Sequence, residues 1–393
     1  MATNPNLRPC DGRFEQLPKE LVMDILSRVS VKALFSCRCV CKYWLYSISD
    51  PEFPHLHRLT SPIGILSKNE PRGPRYHVED STKLQFTQLQ ESACGSDFQV
   101  QRMQFTTKNN LPIDKFHLIN SYNGLLCLSR IMDRDDTFYV CNPILGEYIT
   151  LPPTNWHSHN WWRTFSGIGY SATTNEYKVL RTSRTKNQNL VSEIYTIGTG
   201  AWRSIGLAPA LEQNIHVNSQ GDCFLHGALH WISNSAESPV YSFNFEIEQF
   251  RPIPLPRVRV KSSSVYDLKL GVIGGCLLFC TPHYHICKVD MWIMKDYGVQ
   301  ESWTKIVLVT NTARVLWGLR YCCNVFRDYR GVLVSPKNGD VFMYNGGVVC
   351  YNQETKSFRE IEITLTDERT RDAISYSPSF VSLYNLGEEV KWY

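Results

Sequence analysis

The stretch FYVCNPILGEYITLP, residues 138–152, decides the fold of this 393-residue chain. It contains a strand, a tight polar turn, an aromatic residue and a second strand. Four later stretches repeat this phrase: SEIYTIGTGAWRSIGL (192–207), VYSFNFEIEQFRPIPLP (240–256), VDMWIMKDYGVQESWTKIVL (289–308) and VVCYNQETKSFREIEI (348–363). The aromatic markers of the five phrases lie 48 to 55 residues apart: Tyr148, Trp202, Phe250, Trp303 and Phe358. A period of about fifty residues with this content predicts the blades of a kelch-like β-propeller.

The rest of the repeat predicts how the ring closes. Another apolar strand pair precedes each phrase, as in NGLLCL (123–128) and CFLHGALHWI (223–232), so five four-stranded units cover roughly residues 114–363. Strand-like stretches remain at 60–106 (SPIGILS, KLQFTQLQ, FQVQRMQF) and at the C-terminal SPSFVSLYN (377–385). Because a closed propeller has to eliminate its open edge, we expect the C-terminal strand to complete a blade begun near the N-terminus. The prediction is a six-bladed propeller over residues 60–393.

Composition excludes several classes of protein. With 43% hydrophobic and 20% charged residues the chain is typical of a folded protein, and a net charge of +4 is too weak to indicate nucleic-acid binding. No window approaches the ~18 to 20 apolar residues of a membrane span. The polar N-terminus lacks a secretory signal, so the fourteen cysteines indicate reduced thiols in the cytoplasm or nucleus.

Residues 14–55 follow a helical period instead, after a flexible N-terminus at 1–13. Leu21, Val22, Ile25, Leu26 and Val29 form one broad apolar stripe. Two further short helical runs follow, and the last stops before the proline at position 51. Three short helices cannot bury a stripe this apolar among themselves, so part of it is expected to face a partner.

The third helical run includes CRCVCKYW (37–44), with three cysteines in five positions. On one helix, Cys37 and Cys41 share a face with Trp44, while Cys39 is turned away by roughly 200°. Three cysteines that cannot converge do not form a metal site, and the chain has no CxxC pair. We therefore predict that these cysteines pack as small apolar residues and that the chain holds no metal or cofactor.

The stretch LPKELVMDILSRVSVKALFSCRCVCKYWLYSISDPEF (17–53) resembles an F-box, the adaptor-binding module of cullin–RING ubiquitin ligases. It departs from the usual pattern at Ser30, where proline is frequent, and at Cys37, where a larger apolar residue is common. CNPILGEYITLP, GIGYSATTNEYKV, EIYTIGTGAWRSI, LHGALHWI and SWTKI are similar to phrases of the F-box-associated domain of plant F-box proteins.

The two resemblances imply a substrate-receptor subunit of an SCF-type ligase. The F-box would bind a Skp-type adaptor, and through it a cullin–RING core, while the propeller holds a target protein for ubiquitination. The motif assigns the adaptor contact to Leu17, Pro18, Leu21, Ile25, Leu26, Val40 and Trp44. Some of these residues must instead hold the helices together, and the sequence does not divide the two groups.

The target is expected on the propeller face that carries the long loops. A loop-borne cluster of Trp156, Trp161 and Trp162 is one candidate, although the indoles could instead pack between blades. Arg257 and Arg259 could meet an acidic partner or form a solvated edge. His283 and His285 alternate with Cys287, but no fourth ligand lies nearby, so we assign them to target binding and not to a metal.

Nothing in the sequence points to catalysis, since a phosphate-binding loop, a GxSxG elbow and an HExxH motif are all missing. We predict no catalytic residues. Two alternatives stay open: a propeller scaffold that acts without a ligase, and a propeller enzyme with acidic and histidine side chains converging on the central channel.

Overall fold

The computed structural model describes residues 17–50, 52–60, 64–69, 83–91, 98–106, 116–130, 137–153, 165–184, 189–209, 223–232, 240–257, 268–273, 275–283, 288–309, 331–334, 341–345, 347–352, 357–361, 373–387 and 389–392. Four helices come first, one more than predicted: α1 (Lys19–Ser27), α2 (Val31–Cys37), α3 (Lys42–Ile48) and α4 (Phe53–Thr60). None of the described helices is long and apolar enough to cross a membrane.

Each of the first three helices begins at a residue suited to that place. The Pro18 carbonyl accepts hydrogen bonds from the amides of Leu21 and Val22 in the first turn of α1. Proline is tolerated at this place because an amide there would have no partner within the helix. The Ser30 hydroxyl accepts from the Ala33 amide at 3.3 Å and so caps α2. The Cys41 sulfur caps α3 in the same way, at 3.5 Å from the Trp44 amide.

The cysteine prediction is wrong in its geometry. The three cysteines do not share a helix, because α2 ends at Cys37, Cys39 lies exposed in the turn, and Cys41 is the buried cap of α3. Among the described residues, no group of three metal-ligating side chains is close enough to hold an ion.

Apart from two short 3-10 helices, Gln300–Ser302 and Tyr384–Leu386, the remaining described elements are strands that form six antiparallel sheets, numbered here in chain order. Sheet 1 contains β1 (Gly64–Asn69), β2 (Lys83–Glu91) and β3 (Phe98–Thr106); sheet 2 contains β4 (Phe116–Tyr122), β5 (Leu125–Arg130), β6 (Thr137–Asn142) and β7 (Glu147–Thr150); sheet 3 contains β8 (Ser166–Ser171), β9 (Glu176–Arg184), β10 (Leu190–Thr196) and β11 (Trp202–Leu207). Sheet 4 contains β12 (Cys223–Leu225), β13 (Ala228–Ile232), β14 (Val240–Asn244) and β15 (Gln249–Pro252); sheet 5 contains β16 (Lys269–Ile273), β17 (Cys276–His283), β18 (Lys288–Met294) and β19 (Trp303–Val309); sheet 6 contains β20 (Gly331–Val334), β21 (Val341–Asn345), β22 (Gly347–Asn352) and β23 (Ser357–Ile361).

Two C-terminal strands complete this arrangement. β24 (Ala373–Tyr376) pairs with β1 and becomes the innermost strand of sheet 1, and β25 (Lys391–Trp392) adds a fifth strand to sheet 2 beside β7. The other five sheets have four strands each. The C-terminus therefore joins the first sheet as predicted, but the predicted stretch 377–385 is wrong, since the pairing strand ends at Tyr376.

The sheets contact one another in cyclic order through their innermost strands and, in sheet 4, also through the second strand β13. β4 lies beside β8, β8 beside β13, β12 beside β16, β16 beside β20, β20 beside β24, and β24 beside β4. Four-stranded antiparallel sheets set around one axis are the architecture of a β-propeller. The chain is thus mainly β, with a helical domain at its N-terminus.

The aromatic markers of the repeat all lie in the fourth strand of a sheet, where two of them link neighbouring sheets. The indole Nε1 of Trp202 donates to the Pro152 carbonyl at 2.7 Å, and that of Trp303 donates to the Pro254 carbonyl at 2.8 Å. The repeated tryptophan therefore recurs because it binds the chain that leaves the preceding sheet.

Buried polar side chains form further links between sheets. Asn120 donates to the carbonyl of Ile168 and accepts from its amide, both at 2.8 Å. His230 lies 3.1 Å from the Cys223 carbonyl through Nδ1 and 2.7 Å from the Tyr297 hydroxyl through Nε2. Because a carbonyl can only accept, Nδ1 carries the proton and Nε2 accepts from Tyr297. Burial lowers the pKa of this imidazole to about 4, so it is neutral at physiological pH.

Candidate protein-interaction site

Helix α1 divides its apolar residues between an inner and an outer side. Val22, Met23 and Leu26 are no more than 3% exposed and join the core, whereas Leu21 is 52% exposed and Ile25 is 47% exposed. Leu21 and Ile25 are one turn apart, so their side chains form a single outward ridge. Such a ridge lies outside the apolar core that the helices share with the propeller, so it is suited to a partner.

The other predicted adaptor residues also separate by burial. Val40, in the turn before α3, is 51% exposed, and Pro18 is exposed beside the ridge. Leu17 and Trp44 are half-buried and pack against the core. Leu26 is 2% exposed, so in this conformation its side chain belongs to the interior.

Three exposed apolar residues of the helical domain were not predicted as site residues. Phe35 is 36% exposed, Tyr46 57% and Leu56 37%. Phe35 and Tyr46 lie within the motif itself, but α4, which carries Leu56, had no sequence prediction. Of the eleven large apolar side chains that are exposed in the described part of the chain, six belong to residues 17–60. Exposed apolar surface is therefore concentrated in the helical domain.

Two ion pairs lie at the ends of α1. The Lys19 ammonium pairs with Asp50, just beyond α3, which fixes the start of α1 against the end of that helix. Arg28 pairs with Asp24 at 2.8 Å, one turn back along α1. Both pairs lie at the surface, where water and salt screen the attraction between the charges, so they contribute little to stability.

The helical domain rests on the propeller through an aromatic cluster. The ring centroid of Phe380, which is 4% exposed, lies 5.8 Å from that of Phe35, 6.1 Å from that of Phe53 and 5.7 Å from that of His57. Burial lowers the pKa of His57, which favours the neutral ring in this apolar setting. One apolar core continues from the helices into sheets 1 and 2.

A charged pair accompanies this cluster. Burial lowers the pKa of the Arg38 guanidinium, and the Glu147 carboxylate of β7 opposes that shift. Burial also raises the pKa of Glu147, against hydrogen bonds from Ser382 and from the Leu383 amide at 2.9 and 2.7 Å. The helical domain therefore packs against the propeller at a defined position. The ridge formed by Leu21 and Ile25 stays exposed in this arrangement.

Most of the predicted target-binding residues lie outside the described residues: Trp156, Trp161, Trp162, Arg259 and His285. Arg257 is described, and its exposed guanidinium pairs with Glu301 at 2.8 Å. His283 is the last residue of β17, where its backbone pairs with Lys288 of β18. The assignment of all seven residues to target binding stays a prediction.

Comparison with known proteins identifies both parts of the chain. The F-box domain family matches residues 14–56, and the family described as F-box associated beta propeller domain matches residues 76–384. The chain belongs to the F-box proteins that carry this propeller domain, which confirms both resemblances found in the sequence.

Three relatives from Arabidopsis thaliana are similar over most of their length. F-box protein At3g07870 is 28% identical, with 89% of this chain and 88% of the relative covered. F-box/kelch-repeat protein At3g23880 is 25% identical, with 77% and 82% covered. F-box protein CPR1 is 26% identical, with 75% and 73% covered. The order of helical domain and propeller is thus shared with plant F-box proteins.

Proposed function

We propose that this protein is the substrate-receptor subunit of an SCF-type cullin–RING ubiquitin ligase. The helical domain binds a Skp-type adaptor and through it the cullin–RING core, and the propeller holds a target protein. The chain itself is not catalytic: other subunits transfer ubiquitin, and this one raises the effective concentration of target lysines near them. Its place of action is the cytoplasm, the nucleus or both.

One observation carries the proposal, namely the outward apolar ridge of Leu21 and Ile25 on a domain that matches the F-box family. A side chain of this kind gains about 1.5 to 3 kcal/mol when fully buried, and about half of each is still exposed. Covering both would contribute about 2 kcal/mol, which is roughly thirty-fold in Kd. The exposed residues Pro18 and Val40 extend the same contact. Leu17 and Trp44 pack between this surface and the core, and Leu26 is part of the core.

We further propose that the propeller is a ring of six blades. Six sheets are described, and the contacts between their inner strands run through all six and return to the first. Sheet 1 joins three N-terminal strands to one C-terminal strand, which is how propellers remove their open edge. In this proposal the target-binding face carries Trp156, Trp161, Trp162, Arg257, Arg259, His283 and His285, as the sequence predicts.

The adaptor contact is tested by titrating the purified chain with a Skp-type adaptor in a calorimeter. The Leu21→Ala, Ile25→Ala double variant should bind roughly thirty-fold more weakly. Leu207→Ala is a matched control, because Leu207 is the most exposed large apolar residue described, at 67%, and lies on sheet 3. It should bind like the unchanged chain.

Three outcomes separate the alternatives. Equal binding by both variants would contradict the assigned contact. No binding by the unchanged chain at micromolar adaptor, with other proteins still captured from cells, would favour a scaffold that acts without a ligase. Adaptor binding without ubiquitination of any captured protein, when the cullin–RING core is supplied, would contradict the receptor role alone.

A further inference from the structure

The segment that follows β24, residues 377–387, has contacts on two sides. It forms no strand over 377–383, yet Ser379, Phe380 and Leu383 are 1%, 4% and 0% exposed. We call residues 377–387 the bridge segment. Its burial without strand pairing indicates that side chains and loops of other elements hold it.

Sheet 2 holds one side of the bridge segment. The Asn142 side-chain amide donates to the carbonyl of Ser379 at 3.0 Å and to that of Val381 at 2.7 Å. The Ser379 hydroxyl donates to the Asn123 carbonyl, in the turn between β4 and β5. Glu147 accepts from the Ser382 hydroxyl and from the following amide. The bridge segment is thus fastened to two turns of one sheet.

The helical domain holds the other side. Phe380 fills the space between the rings of Phe35, Phe53 and His57, at centroid distances of 5.7 to 6.1 Å. Farther along, the Asn385 side chain donates to the Ser49 carbonyl after α3, at 3.5 Å. Helices α2 and α4 therefore contact a residue whose own backbone is fixed by sheet 2.

The geometry points to a coupling device: the bridge segment ties the seating of the F-box helices to the closure of the propeller ring. The two carbonyls that Asn142 binds flank Phe380 on either side, so this amide sets the position of the aromatic ring. The segment begins directly after β24, the strand that closes sheet 1. A chain in which β24 is not paired with β1 cannot present Phe380 to the helices, so a loosened helical domain then reports that the ring has not closed.

This coupling goes beyond adaptor and target binding and is tested without either partner. The measurement is hydrogen exchange by mass spectrometry on α1 to α4, for variants altered only on the propeller side. Asn142→Asp keeps the side-chain oxygen that caps its own turn at the Ile144 amide, at 2.9 Å. It removes both hydrogen bonds to the bridge segment and turns a carboxylate towards two carbonyl oxygens.

Asn244→Asp is the matched control. Asn244 lies at the equivalent turn of sheet 4, where its side-chain oxygen accepts from the Glu246 amide at 2.8 Å. We expect the helices to exchange at least tenfold faster in Asn142→Asp and within twofold of the unchanged chain in Asn244→Asp. Exchange in sheets 3, 5 and 6 should be the same in both variants.

A milder variant keeps the test decisive if Asn142→Asp does not fold. Ser382→Ala removes one hydrogen bond between the bridge segment and Glu147, and we expect exchange of α4 to rise about threefold to tenfold. Helices that exchange at the unchanged rate in every folded variant with a weakened bridge segment would overturn the coupling. So would equal acceleration in Asn244→Asp.

Discussion

Replacing Phe380 by alanine should release the helical domain from the propeller. Phe380 is 4% exposed and contacts three rings, two of them in α4. Truncating a buried phenylalanine to alanine costs about 3 to 5 kcal/mol, because the lost apolar contacts leave a cavity that neighbours fill only in part. We take the lower value, since the cluster lies at a junction where the helices can shift.

A loss of about 3 kcal/mol corresponds to roughly a hundredfold increase in the open population of α4. Hydrogen exchange of peptides that cover Phe53–Thr60 measures this population directly. Exchange is preferable to a single unfolding curve, because two domains of different stability need not unfold in one step. Phe380→Leu keeps much of the apolar volume and should raise exchange by about tenfold or less.

Phe279→Ala is the matched control for this prediction. Phe279 is fully buried in sheet 5 and packs against Trp303 at 6.3 Å. Its loss should accelerate exchange in β17 and β18 by a similar factor and leave α4 unchanged. If α4 is accelerated equally by both variants, the two domains unfold as one unit and the reasoning about a local junction is refuted. If α4 is unchanged in Phe380→Ala, the cluster does not hold the helices.

Two further predictions concern the ring. Gly124→Ala should lower the free energy of unfolding in urea by at least about 2 kcal/mol, because Gly124 has a φ of +77° and an added Cβ would clash with the Ser379 hydroxyl. Gly200→Ala is the control: Gly200 has a φ of +76°, but no atom lies within 4 Å of an added Cβ, so the loss should be only about 1 kcal/mol. His230 has a native pKa of about 4 and an unfolded value near 6.5, so its contribution is complete above pH 6.5 and is lost as the pH falls towards 4. The free energy of unfolding from urea titrations should fall between pH 7 and pH 5 by about 2 kcal/mol more in the unchanged chain than in His230→Gln, and equal falls would contradict the assigned neutral imidazole.

The propeller repeat and the F-box that precedes it could both be predicted from local sequence patterns. The alternation of apolar residues placed strands of all six sheets near their observed positions, including β22 and β23 of sheet 6, because a strand with buried faces needs that period wherever it lies. The recurring tryptophan could be found from sequence because the same link to the preceding sheet recurs at Trp202 and Trp303. The F-box stripe was visible for the same reason, since its spacing follows the helical turn.

The sequence did not decide which side of that stripe faces outward. On a helix, Leu21 and Ile25 lie about 40° apart, and Val22 and Leu26 lie roughly 100° farther round, all within one apolar stripe. The core takes the second pair and leaves the first exposed. Only the packing of α1 against α3 and α4 sets that boundary, so Leu26 could not be separated from Ile25 by periodicity.

By itself the sequence determined the succession of a helical F-box domain and a repeated β domain, because helix and strand periods are properties of neighbouring residues. The tertiary structure alone decided that Ala373–Tyr376 closes sheet 1 and that Cys41 caps a helix instead of packing on one. It alone decided that Phe380 sits among rings more than three hundred residues away in the chain. Such contacts depend on where distant segments meet once the ring has closed, and no local pattern carries that information.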